Sequence, residues 1–131
     1  MQLTWFAVNF RTRQGDEPVA DFIDSLPPWA QQVVDLQIDR LNEFGPMIPS
    51  PHTHQVKGKL RELRCYSGKL KIRVLYHEAE SHLILLLHIF VKKTPRIPPA
   101  DIALAESRWV AFKARMDAEP RVPPRPIGSD A

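Results

Sequence analysis

The stretch LRELRCYSGKLKIRVLYHEAESHLILLLHIFVKKTPR, Leu60–Arg96, decides the fold. Leu60–Tyr66 alternates, Ser67-Gly68 reads as a turn, and Leu70–His77 alternates again. Two period-two runs around a glycine turn predict a β-hairpin. The short polar link Glu78–Ser81 leads into a third, very apolar run, His82–Val91, so an antiparallel meander is expected. Lys92-Lys93-Thr94-Pro95-Arg96 follows. Ten of the chain's 18 Lys and Arg fall between Lys57 and Arg96, against three acids, Glu62, Glu78 and Glu80. That segment carries net +7 and the remainder −4, so the overall +3 hides a charge separation. A concentrated cationic surface on a small sheet suits a phosphate-rich partner, RNA or DNA.

Upstream, Leu3–Phe10 is aromatic and apolar and reads as a first strand, followed by a polar loop to Glu17. Asp16 is the expected cap of a helix with Pro18 in its first turn, and Val19, Phe22, Ile23 and Leu26 keep i, i+3, i+4, i+7 spacing. Pro27-Pro28 ends that helix and starts a longer one, Trp29–Phe44, which Gly45-Pro46 stops. Met47–Lys57, with two prolines, His52 and His54, reads as a loop. Downstream, Pro98-Pro99 precedes a last helix, Ala100 to about Met116, with Ile102, Ala105, Trp109, Phe112 and Met116 on one stripe. The order β-α-α-β-β-β-α predicts an α+β domain with the helices on one face of a four-stranded, mainly antiparallel sheet and the other face partly open. The expected domain is 1–117, and 118–131 reads as a disordered Pro-rich tail.

At 131 residues and 44% hydrophobic content the chain fits one domain with a real core. One cysteine, Cys65, excludes an internal disulfide and any thiolate cluster, which favours a reducing compartment, the cytoplasm. Met1–Phe6 lacks the charged and apolar regions of a signal peptide, and the run Leu83–Leu87 is far too short to span a bilayer, so no membrane role is expected. His52-x-His54 resembles a metal pair, but no further Cys or His at ligand spacing supports it, so no metal or other cofactor is expected.

Period two assigns faces. Leu63 and Cys65 share one face of their strand, and Glu62, Arg64 and Tyr66 the other. Ile72, Val74 and Tyr76 oppose Lys71, Arg73 and His77. With the apolar sets against the helices, Arg64 and Arg73 project from the open face of adjacent strands, and Lys92 and Lys93 rim it. The bland alternative is ordinary solvation, since lysines also protect sheet surfaces from aggregation. Tyr66, His77 and His88 are acid or base candidates, but His88 lies among large apolar residues and reads more readily as a core histidine; Cys65, Trp109 and Phe112 read as core.

Four motifs in order carry a resemblance: Lys57-Gly58-Lys59-Leu60-x-Glu62-Leu63-Arg64, Gly68-Lys69-Leu70-x-x-Arg73-Val74-Leu75-Tyr76, Leu86-Leu87-His88-x-Phe90-x-Lys92-Lys93-Thr94, and Pro98-Pro99-x-Asp101-Ile102-x-x-Ala105-x-x-Arg108. Over about residues 55–112 the chain resembles the HigB-like, phage-related branch of the RelE/ParE toxin superfamily. The resemblance implies a RelE-like fold and the toxin of a type II toxin–antitoxin pair. It implies a cognate antitoxin with a helix-turn-helix domain, and mRNA and the ribosome as targets. Many such toxins cut mRNA in the ribosomal A site without a metal, whereas the ParE branch poisons gyrase.

Metal-free RNA cleavage needs a base for the ribose 2′-OH, cations for the phosphorane and an acid for the leaving 5′-oxygen. Arg64 and Arg73 suit the cationic task, because a guanidinium grips phosphate bidentately. Lys92 or Lys93 serves as acid or base if neighbouring charge lowers its pKa, which completes the catalytic set Arg64, Arg73, Lys92 and Lys93. Lys57, Lys59, Arg61, Tyr66, Lys71, His77 and Arg96 are the candidate RNA contacts, Tyr66 by stacking on a base or merely capping the sheet. An endoribonuclease toxin is therefore the leading reading. A gyrase-type inhibitor of a protein target and a non-toxic RNA-binding module are the alternatives. An antitoxin is expected to cover the basic rim with an acidic amphipathic segment.

Overall fold

The computed structural model describes residues 4–118. The expected Pro-rich tail lies outside them apart from Ala118. The elements are β1 (Phe6–Asn9), α1 (Pro18–Ser25), α2 (Pro28–Phe44), β2 (Thr53–Lys57), β3 (Leu60–Ser67), β4 (Leu70–Ala79), β5 (Leu83–Val91) and α3 (Pro99–Ala118). The sheet has five strands, not four, in the order β1-β5-β4-β3-β2. It is mixed, because β1 runs parallel to β5 while the other three pairings are antiparallel.

The added strand, β2, comes from the segment expected to be a loop. Its prolines, Pro49 and Pro51, both precede Thr53, and β2 is an edge strand, so no proline interrupts the ladder. Thr53, His54 and Gln55 pair with Leu63, Glu62 and Arg61. Both hairpins turn on two residues with glycine first, Gly58-Lys59 and Gly68-Lys69, at φ of 56° and 60° that a side chain would strain. Asp16 does not cap α1. Glu17 holds that position, its carboxylate pairing with Arg11 rather than capping the helix, and the Asp16 N–H donates to Thr12 Oγ1.

The helices also divide differently from the expectation. α1 and α2 pack on one face, where Val19, Ile23, Ala30, Val34, Ile38 and Leu41 meet Leu63, Cys65, Ile72, Val74, Tyr76, Ile84 and Leu86. α3 packs on the opposite face, where Ala105 and Phe112, with Ile102 and Trp109 beside them, meet Val8, Phe10, Leu60, Leu75, Leu85 and Leu87. The face expected to be open is therefore largely covered by α3. β5 sits between β1 and β4 and is buried on both sides, with Ile84, Leu85, Leu86 and Leu87 all at 0% exposure. This explains its unbroken apolar run. A β-bulge lies where Tyr76 pairs with Leu86 but Leu75 pairs with His88. Leu87 and His88 consequently both face α3. Among the described residues no helix is long and apolar enough to cross a membrane.

Cys65 lies at 0% exposure, and burial pushes its thiol up to about 12. Thiolate is the nucleophile, so the native thiol should be inert at pH 8. Iodoacetamide should modify Cys65 only in denaturant. Rapid labelling of the folded chain would contradict this packing.

Candidate functional site

Three cross-strand rows build the site on the α3 side of the sheet. Arg64 of β3 lies opposite Arg73 of β4, which lies opposite Phe90 of β5. Toward the hairpin turn comes the row of Tyr66 and Lys71. Lys92 extends this row, because its N–H donates to the Lys71 carbonyl at 2.7 Å. On the other side comes the row Glu62, Leu75 and His88. Directly opposed side chains sit about 5 Å apart at Cβ, so the rows form one continuous patch.

Glu62 is the hub of the patch. It is 3% exposed, and it accepts a 2.9 Å hydrogen bond from Arg64 Nε. Its other oxygen lies 3.5 Å from Arg73 Nε, an ion pair without a hydrogen bond. Arg73 is only 2% exposed. Its guanidinium lies 5.1 Å from the Tyr66 ring centroid, and Nη2 donates to the Tyr66 hydroxyl at 3.3 Å. Tyr66 itself is 51% exposed, so an accessible ring covers a buried cation. A buried charge needs a partner, and one carboxylate serves two guanidiniums here. Its position fixes both.

Beside this hub, His88 Nε2 and Asp101 Oδ1 are 2.7 Å apart. A carboxylate oxygen accepts, so Nε2 donates and Nδ1 remains available. Asp101 sits in the first turn of α3, where the helix dipole favours an acid. The His88 ring stacks on Phe90 at 5.4 Å, and Phe90 faces Arg73 across the strand pair. The fold thus lays a His–Asp pair alongside the arginine pair.

Of the residues singled out by sequence, Arg64, Arg73, Tyr66, Lys71 and Lys92 come together in these rows. Lys93 and Arg96 are exposed in the segment that follows β5. Arg61 lies on the opposite face, where Nη2 donates to Thr53 Oγ1 at 2.9 Å. It shares the parity of Leu63 and Cys65, so it is separated from the rows by the sheet itself. Lys57 pairs with Glu106 of α3 at 3.1 Å. His77 lies four residues from Arg73, about 13 Å along the strand, stacked on Trp109 at 3.6 Å. Lys59, in the β2–β3 turn, contributes charge near His77. Lys57, Lys59 and His77 therefore mark a second location. His52 and His54 do not converge, since their rings bond Gln37 and Ser50 respectively. Among the described residues no three His, Cys, Asp or Glu side chains are grouped to hold a metal ion.

Sequence reasoning missed the bridging position of Glu62 and the contact between His88 and Asp101, and it ranked His88 as core ahead of acid or base. Glu62 shares the parity of Arg64, so its hub position was within reach of alternation. The His88–Asp101 pair joins a strand to a helix across the bulge and has no local signal. Residues 21–110 match the family described as phage-derived protein Gp49-like (DUF891). No curated protein matches the chain. The chain belongs to this Gp49-like family, a RelE/HigB-type toxin family of toxin–antitoxin systems.

Glu62→Gln leaves Arg73 buried without its counter-charge and should cost about 3 kcal/mol in urea unfolding. Unchanged stability would show that Arg73 does not need Glu62. A second expectation concerns pH. Burial lowers the pKa of His77, with Lys59 and Lys113 adding to the effect and the Glu78 carbonyl and carboxylate opposing it. The unfolded chain thus takes up this proton first, so stability falls as pH drops below about 6.5 and levels once the folded ring is protonated. His77→Gln should flatten that part of the stability–pH curve.

Proposed function

With membership in a toxin family as premise, we propose that residues 1–117 form a HigB-like toxin that acts in the cytoplasm as an mRNA endoribonuclease. In this reading it cuts at the ribosome by 2′-OH transesterification without a metal, and an antitoxin with a helix-turn-helix domain restrains it. The observation that supports the reading is the direct opposition of Arg64 and Arg73 around Glu62, flanked by Lys71 and Lys92 on one side and His88–Asp101 on the other.

The 2′-oxygen attacks phosphorus to form a 2′,3′-cyclic phosphate, and the bond from phosphorus to the 5′-oxygen breaks. Negative charge builds on the non-bridging oxygens, where Arg64 and Arg73 stabilise it. Tyr66 turning aside uncovers Arg73, and the freed ring stacks on a base. His88, held by Asp101 at Nε2, uses Nδ1 for one of the two proton transfers, from the 2′-OH or to the 5′-oxygen, and Lys92 or Lys93 performs the other. Lys92 and Lys93 add positive charge at the rim, and Lys57, Lys59 and His77 hold the strand farther away. Burial of Arg73 beneath Tyr66 is the observation that favours the alternative, a non-nucleolytic toxin with a protein target such as gyrase.

Primer extension on a reporter mRNA after induction tests this proposal. Wild-type protein should produce discrete cuts, and growth should stop. Arg73→Ala and Lys93→Ala should abolish toxicity while far-UV circular dichroism stays native. His88→Gln should slow cleavage about 100-fold. DNA-damage signalling with intact mRNA would replace the nuclease reading with the alternative.

A further inference from the structure

Of the eight large hydrophobic side chains exposed among the described residues, four belong to α2 and its exit: Trp29 (53%), Leu36 (56%), Phe44 (64%) and Met47 (69%). Steps of seven and eight keep Trp29, Leu36 and Phe44 on one helical stripe. This stripe is separate from the one the core uses, which is Ala30, Val34, Ile38 and Leu41. α2 therefore carries two apolar stripes, and the sheet covers only one.

A row of acids runs beside the uncovered stripe. Asp35, Asp39 and Glu43 follow at steps of four, and Arg40 is the only cation in the stripe itself. Among the described residues no Lys or Arg forms an ion pair with any of the three acids. Partial burial holds the Asp35 carboxyl above its ordinary value, and the charges of Asp39 and Asp24 push it in the same direction. Like charges are thus crowded along an apolar ridge. α2 packs on the face opposite the rows of Arg64 and Arg73.

We propose that the outer face of α2 is a docking surface for a basic amphipathic helix of a protein partner. The apolar anchors of that helix seat along Trp29–Phe44, and its lysines and arginines face Asp35, Asp39 and Glu43. The ridge from Trp29 to Phe44 is about 22 Å long, enough for four turns of a partner helix. RNA does not fit, because the acids repel phosphate. A second copy paired about a two-fold axis would bring acid row against acid row. The partner holds the chain from behind and leaves the cationic rows uncovered. The inference does not depend on RNA cleavage.

The test uses the full chain and two synthetic 18-residue helical peptides with the same leucine stripe, one flanked by lysine and one by glutamate. Titration calorimetry should show the lysine peptide binding at least 10-fold more tightly, with hydrogen-exchange protection confined to α2. Leu36→Glu combined with Asp39→Lys, both at exposed positions, should abolish binding while circular dichroism and melting temperature stay native. Equal binding of both peptides, protection on β3 and β4, or no effect of the double variant would overturn the proposal. So would sedimentation of the free chain as a dimer that Leu36→Glu dissolves, which would assign the ridge to a second copy.

Discussion

Burial of β5 on both faces is the constraint from which the rest of the molecule follows. Four consecutive side chains, Ile84 to Leu87, have no contact with water. Each pair of neighbours points in opposite directions, so one layer of helices cannot cover them. α1 and α2 cover one side and α3 the other, while β1 and β4 protect the backbone edges. Burying those side chains supplies a large share of the apolar stabilisation, roughly 2 kcal/mol per leucine or isoleucine. It also dictates geography. α3 must begin close to the end of β5, and its first turn carries Asp101 to His88. The polar residues of the rows are confined to the part of the sheet that the helix stripe does not fill.

Within that part, a single acid organises a surplus of cations. Two guanidiniums on adjacent strands would repel each other and lose solvation if left alone. Glu62 relieves both costs and fixes where the arginines point. Tyr66 then covers the more buried one. The result is a set of charges held in a low-dielectric setting, where electrostatic interactions are stronger than in water. The same arrangement keeps Arg73 away from casual contact with solvent anions.

Much of this was readable from residues. Alternation in Leu60–Tyr66 and Leu70–His77 placed Arg64 and Arg73 on one face because their hairpin turns on a glycine that pins the register. Arg61 had the opposite parity in the same alternation, and grouping it with the others by charge ignored its face. β2 was hidden because its five residues follow a proline cluster that reads as a loop, although an edge strand tolerates prolines at its start. The side of the sheet that α3 would choose had no sequence signal. Its stripe of Ile102, Ala105, Trp109 and Phe112 is equally apolar whichever face receives it, and only the two-sided burial of β5 decides. The His88–Asp101 contact depends on that choice and was out of reach for the same reason.

The bulge between β4 and β5 sets the phase of the strand beyond it. Strict alternation from Leu85 would send His88, Phe90 and Lys92 toward α1 and α2. The one extra residue reverses that parity and delivers them to Arg73's side. The inserted position lies within a run of leucines, where hydropathy cannot distinguish one reading frame of the strand from the next. A relative lacking one residue there would keep a nearly identical apolar profile and a sound core. Its regular ladder would still set the histidine opposite Leu75 and keep histidine and lysine on Arg73's side, whereas the full run of leucines paired without the bulge would send both to the back of the sheet.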